Sequence, residues 1–275
     1  MGTLLARVRG FGVYTTSLGL AVLFLTPMLW TLYGSLHGPT AAKDGAGWGV
    51  ENYRRMVWYG SGLGTYMLNT AIVAAITVTV TVVLTTLGGY AVVRFAFPGR
   101  DLLFLTTLAI LMVPHTTLLI PLYILLGWIG LQNSLLGLGL MLAMFQLPFG
   151  LFMMRNSFEA LPVELQEAAL VDGCGPTRAL WHVLLRGVRP GIVTVALFSF
   201  LASWNEFVAP LILITDDEKF TLPVALFNLQ SGSLGSVDYG ALLSGVVTAA
   251  LPCIAVFLML QRYYVRGFIR GALKG

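Results

Sequence analysis

The sequence predicts an all-α protein that crosses a membrane with six helices. Of its 275 residues 57% are hydrophobic and only 10% charged, with a mean hydropathy of +0.84. A soluble domain carries about 25% charged residues, so a chain this poor in charge cannot clothe a water-facing surface. Six apolar stretches, near 13–35, 66–92, 102–126, 134–154, 191–213 and 239–260, each meet the length of about 20 residues that a helix needs to cross the hydrocarbon core.

The first stretch follows Arg7 and Arg9 and has no charge from Gly10 to Ala42. It outruns the hydrophobic region of a signal peptide, about 7–15 residues, and reads as an uncleaved first span. The second contains Thr77 to Val82, alternating threonine and valine as a strand would. A helix is expected there, because an open sheet edge is excluded from lipid and threonine hydroxyls can bond back to the preceding turn. The third carries Pro114 and Pro121 and the fourth Pro148. Membrane helices tolerate such kinks where neighbours or water satisfy the freed carbonyls.

An even number of spans puts both termini on one side. That side receives Arg7, Arg9, Arg94, Arg100, Arg155, Arg178, Arg186, Arg189, Arg262, Arg266, Arg270 and Lys274. The other receives only Lys43, Arg54, Arg55 and Lys219. Basic residues gather on the cytoplasmic side, so both termini are expected there, and the acidic run Asp216-Asp217-Glu218 outside. The net charge of +4 does not indicate nucleic acid, since the basic residues are dispersed between apolar runs. Cys174 and Cys253 form no CxxC and no His/Cys cluster, which argues against a disulfide framework. The sequence has no HExxH, GxSxG or GxxxxGK[ST], so neither those hydrolytic chemistries nor P-loop nucleotide binding is expected.

One domain is expected over 1–275, interrupted on the cytoplasmic side by a loop over about 155–190. This loop holds Arg155, Glu159, Glu164, Glu167, Asp172, Arg178, Arg186 and Arg189. In Leu161-Pro162-Val163-Glu164-Leu165-Gln166-Glu167-Ala168-Ala169-Leu170-Val171-Asp172-Gly173 the proline suits a first helical turn, and Glu164 and Glu167 favour the start of the helix dipole. Leu161, Leu165, Ala168 and Ala169 make a narrow apolar stripe, and Gly173 suits a left-handed C-terminal cap. A second helical stretch is expected from Thr177 to Leu185. His182 reads as a surface residue.

Glu167-Ala168-Ala169 followed by Asp172-Gly173 resembles the "EAA…G" loop of ABC importer permeases. Glu51-Asn52-Tyr53, Asn69-Thr70, Gly89-Tyr90-Ala91, Phe97-Pro98-Gly99-Arg100, Ile120-Pro121-Leu122-Tyr123, Gly130-Leu131-Gln132-Asn133-Ser134, Trp204-Asn205-Glu206-Phe207 and the tail Gly267 to Gly275 are similar, in order and spacing, to the carbohydrate branch. The tail is similar to that of the smaller six-helix permease of maltose- and glycerol-3-phosphate-type importers.

The resemblance implies the type I importer fold in a bacterial cytoplasmic membrane, with alternating access driven from a separate ATPase. It makes Glu164, Glu167, Ala168, Ala169, Asp172 and Gly173 the coupling surface. Small alanines permit close approach to a cleft while charges at its rim fix register; Glu167 pairs with a basic residue of the ATPase, and Gly173 allows the turn between the two helices. The implied partners are a second permease, two ATPase subunits carrying ATP and Mg, an extracytoplasmic sugar-binding protein and membrane lipid; the chain itself would bind no cofactor or metal and catalyse no reaction. Leu185-Arg186 stands where the family has Leu-Pro, so the loop's exit is expected to straighten, with Pro190 as a partial substitute.

Glu206 is the only acid well inside an expected span, and an intramembrane carboxylate is by default a functional candidate. With Trp204 and Asn205 it is a candidate for the translocation path; the competing reading is a hydrogen bond between helices. His115, beside Pro114, reads as a ring bonded to a carbonyl freed by the kink, since a proton relay would need further acids nearby. A stand-alone gradient-driven transporter or channel would need intramembrane ion-coupling residues and usually internal repeats. The sequence offers one such acid and no evident repeat.

Overall fold

The computed structural model describes the backbone of residues 2–37, 48–232 and 237–272, with side chains over 14–37, 48–232 and 237–261. Among these residues the regular structure is helical: α1 Gly2–Leu36, α2 Glu51–Val57, α3 Leu63–Arg94, α4 Arg100–Ala109, α5 Leu119–Trp128, α6 Leu135–Glu159, α7 Glu164–Val171, α8 Pro176–Ala179, α9 Leu185–Gly187, α10 Arg189–Trp204, α11 Val208–Leu213, α12 Leu222–Ser231 and α13 Tyr239–Ala272. Four helices are long and apolar enough to cross a membrane, at Tyr14–Leu36, Leu63–Arg94, Leu135–Glu159 and Tyr239–Gln261. Two bent pairs, Arg100–Met112 with His115–Trp128 and Pro176–Gly187 with Arg189–Trp204, raise the number to six. The six expected spans therefore stand, but not all as single rods. The third bends by 96° at Val113-Pro114, because proline offers no N–H to the preceding turn. The fifth, expected to run to 213, stops at Trp204 and resumes as α11 at Val208.

The chain divides into two compact units. One comprises residues 1–63 and 226–251. Here Asn52 on α2 is buried and donates to the carbonyls of Ser35 (2.8 Å) and His37 (3.2 Å), while Ser244 on α13 donates to the Asn52 carbonyl (3.1 Å). One residue thus ties the end of α1, through its side-chain amide, and α13, through its backbone carbonyl, to α2, which gives Glu51-Asn52-Tyr53 a structural role. The apolar side chains Leu18, Leu23, Phe24 and Trp30 of α1 are exposed, as a lipid-facing helix requires.

The other unit comprises 64–225 and 252–275. Its α3 is an unbroken run of 32 residues, hence about 48 Å long at 1.5 Å per residue. The alternating threonines are helical as expected. Thr85 bonds back to the Thr81 carbonyl at 2.7 Å, whereas Thr77 reaches across to the Gly139 carbonyl on α6 at 3.1 Å. Near its Leu63 end, Asn69 donates to the carbonyls of Glu218 (2.8 Å) and Phe220 (3.0 Å), and the Thr70 hydroxyl accepts the Leu222 N–H at 2.8 Å. Asn133 completes this clasp on the 214–222 loop by accepting the Thr215 N–H at 3.0 Å. At the other end, a Cβ on Gly89 would lie 2.8 Å from the Met154 Cβ, so only glycine lets α3 and α6 approach this closely.

Candidate functional site

The 155–190 loop is built around the Arg94 end of α3. Arg94 donates to the carbonyls of Phe158 (3.2 Å) and Leu161 (2.9 Å), which lie at the end of α6 and just beyond it, where helical carbonyls lose their intrahelical partners. The Tyr90 ring is buried against Phe158 and Phe95, and its hydroxyl donates to the Pro176 carbonyl at 3.1 Å. Two side chains of one helix therefore hold the loop both before and after α7.

Between these anchors α7 runs from Glu164 to Val171, with Glu164 and Glu167 in its first turn. Pro162 stands just before the first turn, in a stretch whose carbonyls already accept from the helix. The helix closes as the sequence suggests. Gly173 has φ +83°, its N–H bonds to the Leu170 carbonyl at 3.0 Å, and the Cys174 N–H bonds to the Ala169 carbonyl at 3.0 Å. This pair of reversed bonds with a left-handed glycine is the Schellman closure. The following segment is not the single helix expected over Thr177–Leu185: α8 gives way to a π-turn at Leu180–Leu184 and then to α9. Nor does the exit straighten for want of a proline at 186. It bends by 78° into α10, where Pro190 occupies the first turn and leaves no N–H unpaired.

The expected apolar stripe divides in two. Ala169 is buried, and Leu161 packs against the cluster of Tyr90, Met154, Phe158, Leu180 and Leu184. Leu165, Ala168, Val171, Asp172, Gly173, Glu164 and Glu167 are all exposed. So is Trp181, beside His182, whose Nδ1 lies 3.0 Å from the Arg178 carbonyl. The face turned away from the body is thus a mixed surface of carboxylates and apolar groups on a short, well-closed helix.

A second constellation forms where two broken spans meet a third that carries a proline. The 112–115 bend, the stretch of α6 around Pro148 and the C-terminal end of α10 surround a cavity of about 380 Å³ whose lining includes Pro114, His115, Phe145, Gln146, Ser203 and Glu206. Glu206 lies in the break between α10 and α11 and accepts the Ala209 N–H at 3.0 Å, as a carboxylate does for a free donor at a helix start. Among the described residues the His115 ring has no bond to a freed carbonyl of the kind expected; it meets the edge of Phe145 at 5.6 Å. Of the other path candidates, Trp204 is buried and stacked on Phe200 at 5.4 Å, and Asn205 bonds back to the Leu201 carbonyl at 2.8 Å. Neither belongs to the cavity lining. No cluster of metal-ligating side chains occurs among the described residues.

Residues 85–270 match the family model of the binding-protein-dependent transport system inner membrane component. The chain belongs to this family. As a family permease it is a multi-pass membrane component of an ABC importer, and the stand-alone transporter reading gains no support. Among its relatives, the diacetylchitobiose uptake system permease protein NgcG of Streptomyces coelicolor is 35% identical, over 92% of this chain and 85% of its own. The trehalose transport system permease protein SugB of Mycobacterium tuberculosis is 32% identical, with 91% and 93% covered. The trehalose/maltose transport system permease protein MalG of Thermococcus litoralis is 30% identical, with 93% and 94% covered. A permease chain of a bacterial ABC transporter that imports the acidic polysaccharide alginate shares the fold, with a TM-score of 0.78, 22% identity and 94% and 97% covered.

Family membership leaves several residues of this permease to the structure. Tyr90, within Gly89-Tyr90-Ala91, and Arg94 stand at the end of a span, and nothing in the sequence ties either of them to the 155–190 loop. Gln146 was detectable, as an amide within an otherwise apolar stretch. The convergence of His115 and Glu206, 91 positions apart by their numbers, was not.

Proposed function

We propose that this chain is one of two different permease halves of an ATP-driven sugar importer, coupled to its ATPase through α7. The observation that carries this reading is the exposed face of Glu167, Ala168 and Val171 on a helix closed at Gly173 and anchored on both sides to α3. An exposed apolar surface rimmed by charge is what a docking helix needs. The ATPase subunits bind ATP and Mg, while this chain binds neither and is not catalytic. Both termini and the 155–190 loop face the cytoplasm, and a sugar-binding protein delivers solute on the opposite side. The names of the relatives, which speak of diacetylchitobiose, trehalose and maltose, support a sugar as the solute. Closure of the ATPase dimer moves α7, and through Tyr90 and Arg94 the motion reaches α3 and the bundle. Glu206 lies on the solute path, in the break that separates α10 from α11.

The test is Glu167→Lys in the assembled transporter. Uptake driven by ATP is expected to fall to background while the variant still inserts in the membrane at the normal level. Undiminished uptake would remove α7 from the coupling role.

A further inference from the structure

Irregular backbone at membrane depth is tolerated where it is buried in protein or lines a water-filled cavity. This chain interrupts its third span at Val113-Pro114 and its fifth at Asn205–Phe207, and both interruptions border the same cavity, beside Pro148 of the fourth. Its volume of about 380 Å³ lies within the range of about 300–1,000 Å³ of small-molecule sites. The lining is mostly apolar, with Leu118, Leu142 and Phe145 on its walls and no lysine or arginine.

The polar groups it does contain are few and particular. Glu206 commits one oxygen, Oε1, to the Ala209 N–H, which leaves Oε2 to accept from a solute. The Ser203 hydroxyl donates to the Ser199 and Phe200 carbonyls, so its proton is already used. The Gln146 amide has no hydrogen-bond partner among the described residues and can both donate and accept. His115 presents its ring nitrogens beside an aromatic edge. A carboxylate acceptor, an amide and an imidazole set against apolar walls match a ligand with many hydroxyl donors and a non-polar C–H face. They oppose a ligand that brings its own carboxylate, because like charges in a cleft of low dielectric repel strongly.

We propose that this cavity is a glycan subsite of the permease that admits neutral sugar units and excludes uronates, with Glu206 as the residue that sets the charge rule. Hydroxyls of one sugar unit donate to the free Glu206 oxygen and exchange hydrogen bonds with Gln146, while the unit's apolar face rests on Phe145 and Pro114. The proposal rests on the permease reading given above, but it adds a binding site, a ligand class and a selectivity that α7 does not touch.

The reporter is Ala202→Cys, a lining position with an exposed side chain, in the assembled transporter with Cys174→Ser and Cys253→Ser. A cationic methanethiosulfonate reagent is expected to label it at least about tenfold faster than an anionic one, after correction for their rates with a free thiol, since a cleft lined by one sign of charge raises local counter-ion concentration about 10- to 1,000-fold. Glu206→Gln is expected to erase that ratio. Saturating maltose should slow labelling at least twofold and galacturonic acid should not; in Glu206→Gln both should. Equal labelling by the two reagents, a ratio unmoved by Glu206→Gln, or protection by galacturonic acid in the unaltered cavity would each overturn the proposal, as would indifference to both sugars. If the Ala202 variant does not accumulate, Leu118→Cys offers a second reporter in the cavity lining. ATP-driven uptake and its loss in Glu167→Lys would survive any of those outcomes, so failure here is distinguishable from failure of the coupling reading.

Discussion

The two ends of α3 do opposite things with the same kind of bond. At the Leu63 end, Asn69 and Thr70 are buried and spend their polar atoms on the backbone of the 214–222 loop. Every partner is internal, and the loop is fixed. At the Arg94 end, Tyr90 and Arg94 also hold backbone carbonyls, but only those that flank α7. The helix between them leaves Glu164, Glu167, Ala168 and Val171 in the open. A clasp in which Asn69 and Thr70 bond to the chain's own backbone explains itself. A rigidly held helix with unspent carboxylates and apolar side chains needs a partner. About 48 Å of uninterrupted helix joins the two, with no break among its residues to absorb a displacement.

This contrast can be broken at either end. Arg94→Ala should have the largest effect. It removes two bonds from a charged donor, each worth about 1.5–3 kcal/mol, and is expected to lower both thermal stability in detergent and ATP-driven uptake, with Arg94→Lys recovering part of the stability. Asn69→Ala loses two neutral bonds, about 2 kcal/mol together. It should lower the unfolding temperature while the variant still binds the ATPase subunit, because it touches only the internal clasp. Retained uptake after Arg94→Ala, or lost ATPase binding after Asn69→Ala, would erase the distinction between the ends. Gly173→Val forces a β-branched residue to φ +83°, where even an ordinary side chain costs about 1–2 kcal/mol. Uptake should fall roughly tenfold with little change in global stability, and Gly173→Asn should be milder, since asparagine tolerates this region.

The smallest effect sharpens the Leu63 end. The hydrogen bond from Lys219, at 2.7 Å, together with that from Asn133, holds the Asp216 carboxyl below its ordinary value of 3.8. A carboxyl depressed in the folded state adds stability above its unfolded value and loses it as pH falls through the lower, folded one. The clasp should thus be indifferent to pH above about 5 and loosen only below 3.8. A carboxyl NMR titration should place Asp216 below 3.8, and Lys219→Ala should move it back up; a midpoint at or above 3.8 would remove this contact from the clasp.

The parts of the fold that follow local rules were legible. Six apolar stretches stand as six spans, and Gly173 closes α7 because a glycine after a helical run is the residue that can turn left-handed without cost. What the sequence did not disclose depends on distance along the chain. The fifth span looked continuous because Glu206, read as an acid inside a helix, instead receives the Ala209 N–H at a helix break. The apolar stripe of α7 could not be split into a buried Ala169 and an exposed Leu165 before the π-turn at Leu180–Leu184 was known to pack beneath it. His115 was weighed without an acid nearby, because only the bend at Pro114 brings it to the cavity of Glu206.

The most direct test of the central claim uses proteoliposomes holding either this chain alone or the chain with its second permease, ATPase subunits and binding protein. Accumulation of labelled sugar should require the full set and ATP, and should vanish when Glu167→Lys replaces the native chain. Solute movement by the chain alone, or full accumulation with the variant, would contradict the view that α7 delivers the driving force to this bundle.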